Sequence, residues 1–344
     1  MEILVISREF PPYVLGGISY HLKNLYNEIQ NLGHNVTVLA GKCPQSWNEL
    51  EKEVDPNINV IPVEFGYRKG YYLLYPVSLW SKLVRLDTSK YDIAITHTPL
   101  PFKIPHLNLI TKYHDCVTET RPYIRDGLST FGKIGDSFLH PIRKRIDQTS
   151  LHKSDKGIFV SELNKNAWEK HYEAQLETDV IYNGVDVDKF YPTSRDGDYV
   201  LFVGSSERKG ISKVLKYAES GEYTVHIVGD TEVENNNIIT HGRVSQEKLR
   251  ELYSGALATI HPTKFEAFGN IVLESLSCGT PVITTNKCGA GEVLTEETGI
   301  ITNKISEGLE RIESTKEQEC RKVAENYSWN KVADKTISLI NETI

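Results

Sequence analysis

Two glutamates eight residues apart, Glu266 and Glu274, are the residues in this sequence best suited to do chemistry. Glu266 follows a predicted strand, Gly269 opens a short predicted helix, and Glu274 falls about one turn into that helix. A helix N-terminus attracts phosphate through its dipole and its unpaired N–H groups. Carboxylates that faced this phosphate would repel it, so they are better placed to accept hydrogen bonds from hydroxyl groups on either side of a diphosphate. The stretch predicts a nucleotide-sugar site, although two glutamates alone are also typical of a solvated surface.

A pair of glycines, Gly16 and Gly17, marks a second candidate site between a predicted strand and an amphipathic helix. Glycines at such a turn let the backbone approach a ligand closely, and the free amides of the following helix favour an anion. The signal is weak, because a Gly-Gly pair is often only a turn. It also differs from the G-x-G-x-x-G fingerprint of dinucleotide-binding proteins, which follows no predicted strand here.

Among the histidines, His114 is the strongest candidate for a functional role. It stands at the C-terminal end of a predicted strand, where ligands bind in open α/β sheets. His21, His97 and His261 are more typical of packed, structural histidines. Asn183 has two interpretations, because it either forms the turn before the next glycine or takes part in a site.

The elements that must position these residues alternate between strands and helices. Apolar runs at 3–7 and 36–39 enclose a segment with helical spacing, which predicts a βαβ unit and a parallel sheet. Further short apolar runs follow at 60–63, 93–96, 109–113, 156–160, 180–182, 199–203, 224–228, 258–261 and 282–285. A polar segment at 192–197 suits a linker. The predicted fold class is therefore α/β, with two doubly wound Rossmann-like domains that face each other across a cleft.

Length and composition restrict the class of protein. The 344 residues suffice for two domains, and the formal net charge of −7 gives no support to a nucleic-acid-binding protein. No apolar stretch is long enough to span a membrane, and no basic segment precedes the first strand as in a secretory signal. Five scattered cysteines without a C-x-x-C pair argue against a zinc ribbon and for reduced thiols, so the sequence predicts a cytoplasmic protein.

One segment, residues 121–170, is locally basic, with ten Lys and Arg against six Asp and Glu. It is interpreted either as a solvated helical face or as a contact surface for an anionic acceptor or lipid head groups. The aromatic stretch at 67–80 likewise indicates either core packing or contact with an acceptor or a membrane surface. Peripheral contact with the inner face of the membrane is therefore an open alternative.

The stretch from Glu266 to Glu274 resembles the signature of retaining glycosyltransferases with the GT-B fold, in particular family four, the glycosyl transferases group 1. Other segments resemble the motifs of that family in the correct order. They are FPP at 10–12 followed by the Gly-Gly pair, GHNVTV at 33–38, YHD at 113–115, IYNGVD at 181–186 and VGSSERKG at 203–210. Each segment is modest alone, but their order across most of the chain is specific.

The resemblance implies a role for each matching side chain. Lys209 would contact the diphosphate of the donor, and Glu274 would bind the hydroxyl groups of the ribose. Glu266 would hold a hydroxyl group of the donor sugar, and His114 would lie beside that sugar at the reacting centre. The resemblance thus implies His114, Glu266 and Lys209 as the catalytic residues.

The resemblance also implies backbone contacts with the donor. Gly16 and Gly17 would approach the diphosphate from the opposite domain. Where the family often has an arginine after the glycine, this chain has Ser205, and Arg208 would have to supply the second positive charge. The remaining contacts with sugar and phosphate would come from the backbone of Ala267, Phe268, Gly269, Asn270 and Ile271.

The implied reaction is transfer of a sugar, with retention, from a nucleotide-diphosphate sugar to a hydroxyl acceptor in cell-surface glycan, polysaccharide or glycolipid biosynthesis. A UDP-sugar is favoured over GDP-mannose, because UDP donors are commoner in the family. No D-x-D motif stands in a plausible loop of the second domain, so no metal and no cofactor are predicted. The alternatives are a nucleotide-sugar epimerase of similar architecture and a non-catalytic sugar-nucleotide binder.

The predicted boundaries follow from the same comparison. Residues 1–193 form the acceptor-binding domain, and residues 194–328 form the domain that binds the nucleotide-sugar donor. The last helix, at 329–344, is expected to cross back and pack on the first domain, as it does in similar folds.

Overall fold

Two parallel sheets, one in each half of the chain, organise the protein. The computed structural model describes residues 1–43, 48–66, 71–173, 175–193, 197–219, 222–231, 233–312 and 315–344. Residues 194–196 of the predicted linker and residues 67–70 of the aromatic stretch lie outside the described residues.

The first sheet has the strand order β3-β2-β1-β4-β5-β6-β7, and its paired strands are parallel. Its strands are β1 (Glu2–Ser7), β2 (Asn35–Gly41), β3 (Asn59–Val63), β4 (Ile93–Thr96), β5 (Leu109–Tyr113), β6 (Lys156–Phe159) and β7 (Thr178–Val180). Its helices are α1 (Gly17–Asn31), α2 (Asn48–Glu51), α3 (Tyr71–Leu83), α4 (Val117–Arg125), α5 (Thr130–Lys153) and α6 (Glu162–His171).

The second sheet has the order β10-β9-β8-β11-β12-β13 and is also parallel. Its strands are β8 (Tyr199–Val203), β9 (Thr224–Val228), β10 (Ile238–Gly242), β11 (Ala258–His261), β12 (Val282–Thr284) and β13 (Gly299–Ile301). The helices that follow are α7 (Ile211–Ala218), α8 (Gln246–Gly255), α9 (Asn270–Ser277), α10 (Ile305–Glu310), α11 (Glu317–Glu325) and α12 (Trp329–Thr343).

The central strands carry continuous apolar runs because helices cover both faces of each sheet. Residues 3–7 of β1 are all buried, and so are the four residues of β4 and of β11. The strand order reverses beside β1 in the first sheet and beside β8 in the second. Ligands bind at the carboxyl ends of strands at such a reversal, so the loops after β1, β4, β8 and β11 are the expected site.

The final helix joins the two halves of the chain. α12 packs against α1, and its apolar face belongs to the core of the first sheet. That face consists of Trp329, Val332, Ala333, Leu339 and Ile340. Among the described helices, none combines the length and apolarity that crossing a bilayer requires.

The α/β fold class with two doubly wound sheets is confirmed, and three details of the strand prediction are wrong. The run at 180–182 was expected to be a strand, but β7 spans Thr178–Val180. β10 and β13 were not predicted. β10 lies at the edge of its sheet and has only two apolar side chains among its five residues, and β13 has only three residues, so neither carries a long apolar run.

Candidate active site

The carboxyl ends of the two sheets meet in an interdomain cleft that is held by direct hydrogen bonds. The Ser161 hydroxyl, at the start of α6, donates to the Ala267 carbonyl at 2.5 Å. The Asn183 side-chain amide donates to the side-chain oxygen of Asn270 at 3.0 Å. The loop after β11 is thereby fixed against the first domain. Asn183, left open by the sequence, contacts this loop.

Backbone hydrogen bonds give the loop from Glu266 to Gly269 its shape. The Glu266 amide donates to the Lys287 carbonyl at 2.8 Å, and the Glu266 carbonyl accepts from the Gly289 amide at 2.9 Å. Gly269 then caps α9 with φ at +98°, a conformation that L side chains rarely adopt. A Cβ at Gly269 would lie 3.0 Å from the Cys288 sulfur, so this position requires glycine on two grounds.

Glu266 is paired with a cation. Its Oε2 lies 3.0 Å from Nη1 of Arg208, and the same Nη1 donates to the Phe265 carbonyl at 3.0 Å. Arg208, which was expected to supply a second charge to the diphosphate, contacts the loop after β11 in this structure, and its role at the diphosphate stays a prediction. Ser205 is exposed. Two residues were expected to take the place of the family's arginine. Ser205 offers only a small hydroxyl group, and the guanidinium of Arg208 is already paired with Glu266.

Glu274 lies in the cleft with one oxygen bound. The Tyr253 hydroxyl donates to its Oε2 at 2.9 Å. Burial raises the pKa of Glu274, whereas the Tyr253 hydrogen bond and the charge of Lys209 lower it. Glu274 borders an interdomain cavity of about 250 Å³ together with Gly17 and Asn270. Tyr253 was missed, because nothing in the sequence links a tyrosine in α8 to a carboxylate in α9.

Lys209 stands on a single 3-10 turn, Glu207–Lys209, that follows β8. Gly210 ends the turn with φ at +89°, and a Cβ there would lie 2.2 Å from the Pro262 carbonyl oxygen. The Lys209 ammonium enters no hydrogen bond or ion pair with the described residues, whereas its neighbour Arg208 forms both. Its charge lowers the pKa of His261, although burial is the larger cause and takes that pKa to about 3. Lys209 is thus a cation available to an anionic ligand.

The glycine pair is only partly available to a ligand. A Cβ at Gly16 or Gly17 would meet no atom within 4 Å, so both border open space. The Gly16 amide, however, donates to the buried carboxylate of Glu9 at 2.9 Å, and the Ser19 hydroxyl also donates to that carboxylate. The Gly16 amide is thus engaged within its own domain, whereas Gly17 lines the interdomain cavity, and the approach of this backbone to the diphosphate stays a prediction.

His114 belongs to a cluster of imidazoles at the ends of β4 and β5. Its Nε2 lies 2.8 Å from Nδ1 of His97, and the His21 ring packs edge-on against it at 4.8 Å between centroids. Burial, followed by the charge of Lys112, lowers the pKa of His114 to about 3. His114 is therefore a neutral imidazole over the physiological pH range.

These three histidines are also the group among the described residues with the geometry for a metal ion. One nitrogen from each of His21, His97 and His114 lies within 4.8 Å of the others. Two of these nitrogens share a hydrogen bond, and the buried amine of Lys112 disfavours a second cation nearby. The prediction that no metal is needed stays a prediction.

A second cavity, of about 320 Å³, is lined by His114 and lies in the first domain. We call it the acceptor-side cavity, after the acceptor-binding role predicted for that domain. It is lined by Arg8 and Arg143 and by two aspartates, Asp115 and Asp147. Burial raises the pKa of each aspartate to about 6, against the opposing charges of Arg208 at Asp115 and Arg143 at Asp147. Asp115 was not among the predicted site residues, although it directly follows His114.

Comparisons with known proteins assign the family of the chain. Residues 15–189 match the family described as Glycosyltransferase Family 4, and residues 187–341 match Glycosyl transferases group 1. An uncharacterized glycosyltransferase of Methanocaldococcus jannaschii is 23% identical, over 98% of this chain and 97% of its own length.

Two solved structures show the same fold. Sucrose-phosphate synthase from Thermosynechococcus elongatus superposes with a TM-score of 0.77 at 18% identity, covering 99% of this chain and 98% of that one. The Anabaena protein HepE in complex with UDP superposes with a TM-score of 0.72 at 16% identity, covering 99% and 100%. The two doubly wound domains have the GT-B arrangement, and the chain belongs to glycosyltransferase family 4.

Proposed function

We propose that this chain transfers a sugar, with retention and without a metal ion, from a UDP-sugar to a hydroxyl group of an acceptor. The product would be a cell-surface glycan, a polysaccharide or a glycolipid. The observation that carries the proposal is the composition of the cleft. Glu274 shares the interdomain cavity with Gly17 of the other domain and feels the charge of the unpaired Lys209, while the charges of Arg208 and Glu266 act on Asp115, the neighbour of His114.

The donor would lie with its diphosphate between Lys209 and the start of α9. A lysine and a helix N-terminus both favour phosphate, and fixed positive charge at that point needs no metal. Glu274 has one oxygen held by Tyr253, which leaves the other to accept from a ribose hydroxyl. UDP is the favoured nucleotide because the Anabaena protein HepE has been solved with UDP and with UDP-glucose.

The proposed reaction breaks the bond between the anomeric carbon and the diphosphate oxygen, and the electron pair leaves with the diphosphate. The acceptor oxygen forms its bond to the same face of the sugar, and its proton passes to the departing phosphate oxygen. Lys209 and the helix N–H groups would stabilise the negative charge that develops there more than they stabilise the bound donor. Such differential stabilisation lowers the barrier.

A turnover assay with a panel of nucleotide sugars tests the proposal. We expect release of UDP that accelerates when an acceptor is added, and we expect activity to persist in EDTA. Conversion of the sugar without an acceptor would instead indicate an epimerase, and binding without turnover would indicate a non-catalytic binder. Loss of activity in EDTA that Mg²⁺, Mn²⁺ or Zn²⁺ restores would contradict the metal-free mechanism, and zinc would direct attention to the three histidines.

We further propose that the first domain docks on an anionic membrane surface, from which it takes a lipid-linked acceptor. On α5, four apolar residues face outward within an arc of about 80°, at 100° per residue. Phe131 is 87% exposed and Phe138 is 75% exposed. The other two are Ile134 and Ile142.

α3 offers a second outward apolar face, which includes Val77 at 70% exposure. Tyr71 of α3 and Arg143 of α5 both line the acceptor-side cavity, so both helices border it. Arg143 is followed by Lys144 and Arg145, and basic residues beside exposed apolar ones are typical of an anionic lipid surface. For the predicted cytoplasmic protein this surface would be the inner face of the membrane.

Co-sedimentation with vesicles tests the docking proposal. We expect binding to vesicles that contain phosphatidylglycerol, weaker binding to pure phosphatidylcholine, and loss of binding in the double variant F131S/F138S. The matched control is I239S/I301S, which removes two exposed apolar residues from the second domain. Equal binding by both double variants, or a dimer in solution that only F131S/F138S dissociates, would contradict a membrane-facing role.

A further inference from the structure

A chain of hydrogen bonds runs from the core of the first domain to the acceptor-side cavity. It begins at Tyr26 on α1, whose hydroxyl oxygen lies 2.6 Å from Nε2 of His97. It continues from Nδ1 of His97 to Nε2 of His114 over 2.8 Å. Tyr26 and His97 are both buried, so water does not compete for these bonds. The hydrogen-bond chain ends at His114, which lines the cavity together with His97 and Asp115.

The first link has a definite direction. Among the described residues, His97 is the partner of the Tyr26 hydroxyl, and burial keeps the phenol protonated by raising its pKa well above 10. A buried O–H group without an acceptor costs about 1–3 kcal/mol. The hydroxyl therefore donates, and Nε2 of His97 accepts.

The direction of the first link determines the second. Burial, together with the charges of His114 and Lys112, keeps His97 neutral by lowering its pKa well below 6.5. A neutral imidazole that accepts at Nε2 carries its proton on Nδ1, so His97 donates to Nε2 of His114. His114 is also neutral and accepts at Nε2, and its own proton is therefore on Nδ1.

The far nitrogen of His114 faces the cavity. Nδ1 of His114 has no hydrogen-bond partner among the described residues, and it is not one of their buried unpartnered atoms. It is thus open to a molecule in the cleft. His21 differs, because both of its ring nitrogens are buried without a partner.

We propose that Tyr26 and His97 are positioning residues that hold His114 in its Nδ1–H tautomer, so that it presents an N–H donor to an oxygen of the reacting sugar or acceptor. This inference rests on the proposed function. In this tautomer the nitrogen that faces the cavity, Nδ1, is already protonated, so His114 cannot use it to remove the proton of the acceptor hydroxyl. Transfer of that proton to the departing phosphate is consistent with this arrangement.

Three variants separate positioning from a structural role. Tyr26→Phe keeps the ring and removes the donor. His97→Asn keeps a donor group close to the position of Nδ1, whereas His97→Leu removes it. The matched control is Tyr199→Phe, since the Tyr199 hydroxyl in the second domain donates a single hydrogen bond, to the Leu252 carbonyl at 2.8 Å.

Long-range ¹H–¹⁵N correlation spectra of histidine-labelled protein report the tautomers without any substrate. In the native protein we expect Nδ1–H on both His97 and His114, and in Tyr26→Phe we expect the His114 resonances to move toward a mixture of tautomers. We expect kcat to fall about tenfold in Tyr26→Phe and more in His97→Leu, with the donor KM within about twofold. His97→Asn should retain most of the activity, and Tyr199→Phe should change neither readout.

Two spectroscopic results would overturn the inference. One is Nε2–H on His114 in the native protein, and the other is an unchanged tautomer in Tyr26→Phe. Stoichiometric zinc bound by His97 and His114 would also overturn the inference, because a metal ion needs the imidazole lone pairs that accept hydrogen bonds in this arrangement. If the tautomers are as expected but no nucleotide sugar turns over, the proposed function fails and the hydrogen-bond chain stands.

Discussion

The two walls of the cleft are built in different ways. The wall from the second domain is one short stretch of chain, residues 261–279, in which backbone hydrogen bonds and glycines with positive φ shape the loop and Glu266 is paired with Arg208. The wall from the first domain collects side chains from several elements, and burial is the main cause of the shifted pKa values of its titratable groups, which include Asp115, Asp147 and His114. Backbone geometry therefore determines the shape of the donor side, whereas desolvation determines the protonation states on the acceptor side.

The largest expected effect tests whether the donor side supplies the charge that the reaction needs. Lys209→Ala should cost roughly 1.5–3 kcal/mol of transition-state stabilisation, which lowers kcat/KM about 12- to 160-fold. Steady-state kinetics with a UDP-sugar measures this loss. Lys216→Ala on α7 removes an exposed lysine of the same domain and should change nothing. An unchanged kcat/KM in Lys209→Ala would contradict the assigned role.

A second experiment concerns the glycine that shapes the donor loop. Gly269→Ala places a side chain at φ +98°, which should cost about 1–2 kcal/mol of unfolding free energy and raise the donor KM. Gly135→Ala offers the opposite case, because a Cβ there meets no atom within 4 Å inside helix α5. It should stabilise the protein by about 0.5–1 kcal/mol. Urea unfolding of both variants, followed by circular dichroism, gives the comparison.

The acceptor side should make the protein sensitive to acid. His21, His97 and His114 have lowered pKa values in the folded protein, so the unfolded chain binds more protons below pH 6.5 and stability falls as the pH falls. Asp115 and Asp147, each with a pKa of about 6, act in the opposite sense between pH 6 and 4. Because three histidines oppose two aspartates, the free energy of unfolding should fall by about 1 kcal/mol per pH unit below pH 6.

Tryptophan fluorescence can show that the loss of stability in acid arises in the first domain. All four tryptophans lie in residues 1–193 or at the start of α12, and residues 194–328 contain none. Urea unfolding at pH 6.5 and pH 5 should therefore show a larger shift of the fluorescence transition than of the circular dichroism transition. Asp147→Asn removes one opposing group and should steepen the acid loss. A transition that stays in place at pH 5 would mean that the buried histidines are protonated or hydrated in the folded state.

The contrast between the walls also explains what the sequence could predict. The donor side was predicted because Glu266, Gly269 and Glu274 are neighbours in the chain, and spacing alone places them at one helix N-terminus. The pairing of Arg208 with Glu266 was not predicted, because it joins the loop after β8 to the loop after β11. The hydrogen bond from the Gly16 amide to the Glu9 carboxylate was not predicted either, because no local pattern links the two residues.

On the acceptor side, spacing carries no information about which side chains meet. His97 and His114 are seventeen residues apart and adjacent only because β4 and β5 pair, and Tyr26 reaches them from a helix. His97 was interpreted as structural, and its contact with His114 depends on a strand register that no local pattern encodes. The fold class follows from local periodicity, whereas this hydrogen-bond chain requires the tertiary structure.

The smallest expected effect concerns Tyr253, a donor-side residue. Like the residues of the acceptor side, it contacts its partner only because the tertiary structure brings the two together. Tyr253→Phe removes the hydrogen bond to Glu274, which costs about 1 kcal/mol. Without the Tyr253 hydroxyl the buried carboxylate is less well stabilised, so the pKa of Glu274 should rise. The KM for the UDP-sugar should then increase about fivefold, most strongly at low pH, where Glu274 becomes protonated. The KM for the UDP-sugar, measured between pH 5.5 and 8, reports this dependence, and Tyr199→Phe again serves as the control. An equal KM increase at all pH values would mean that Tyr253 shapes the pocket without tuning the carboxylate, and donor binding would then depend on backbone geometry alone.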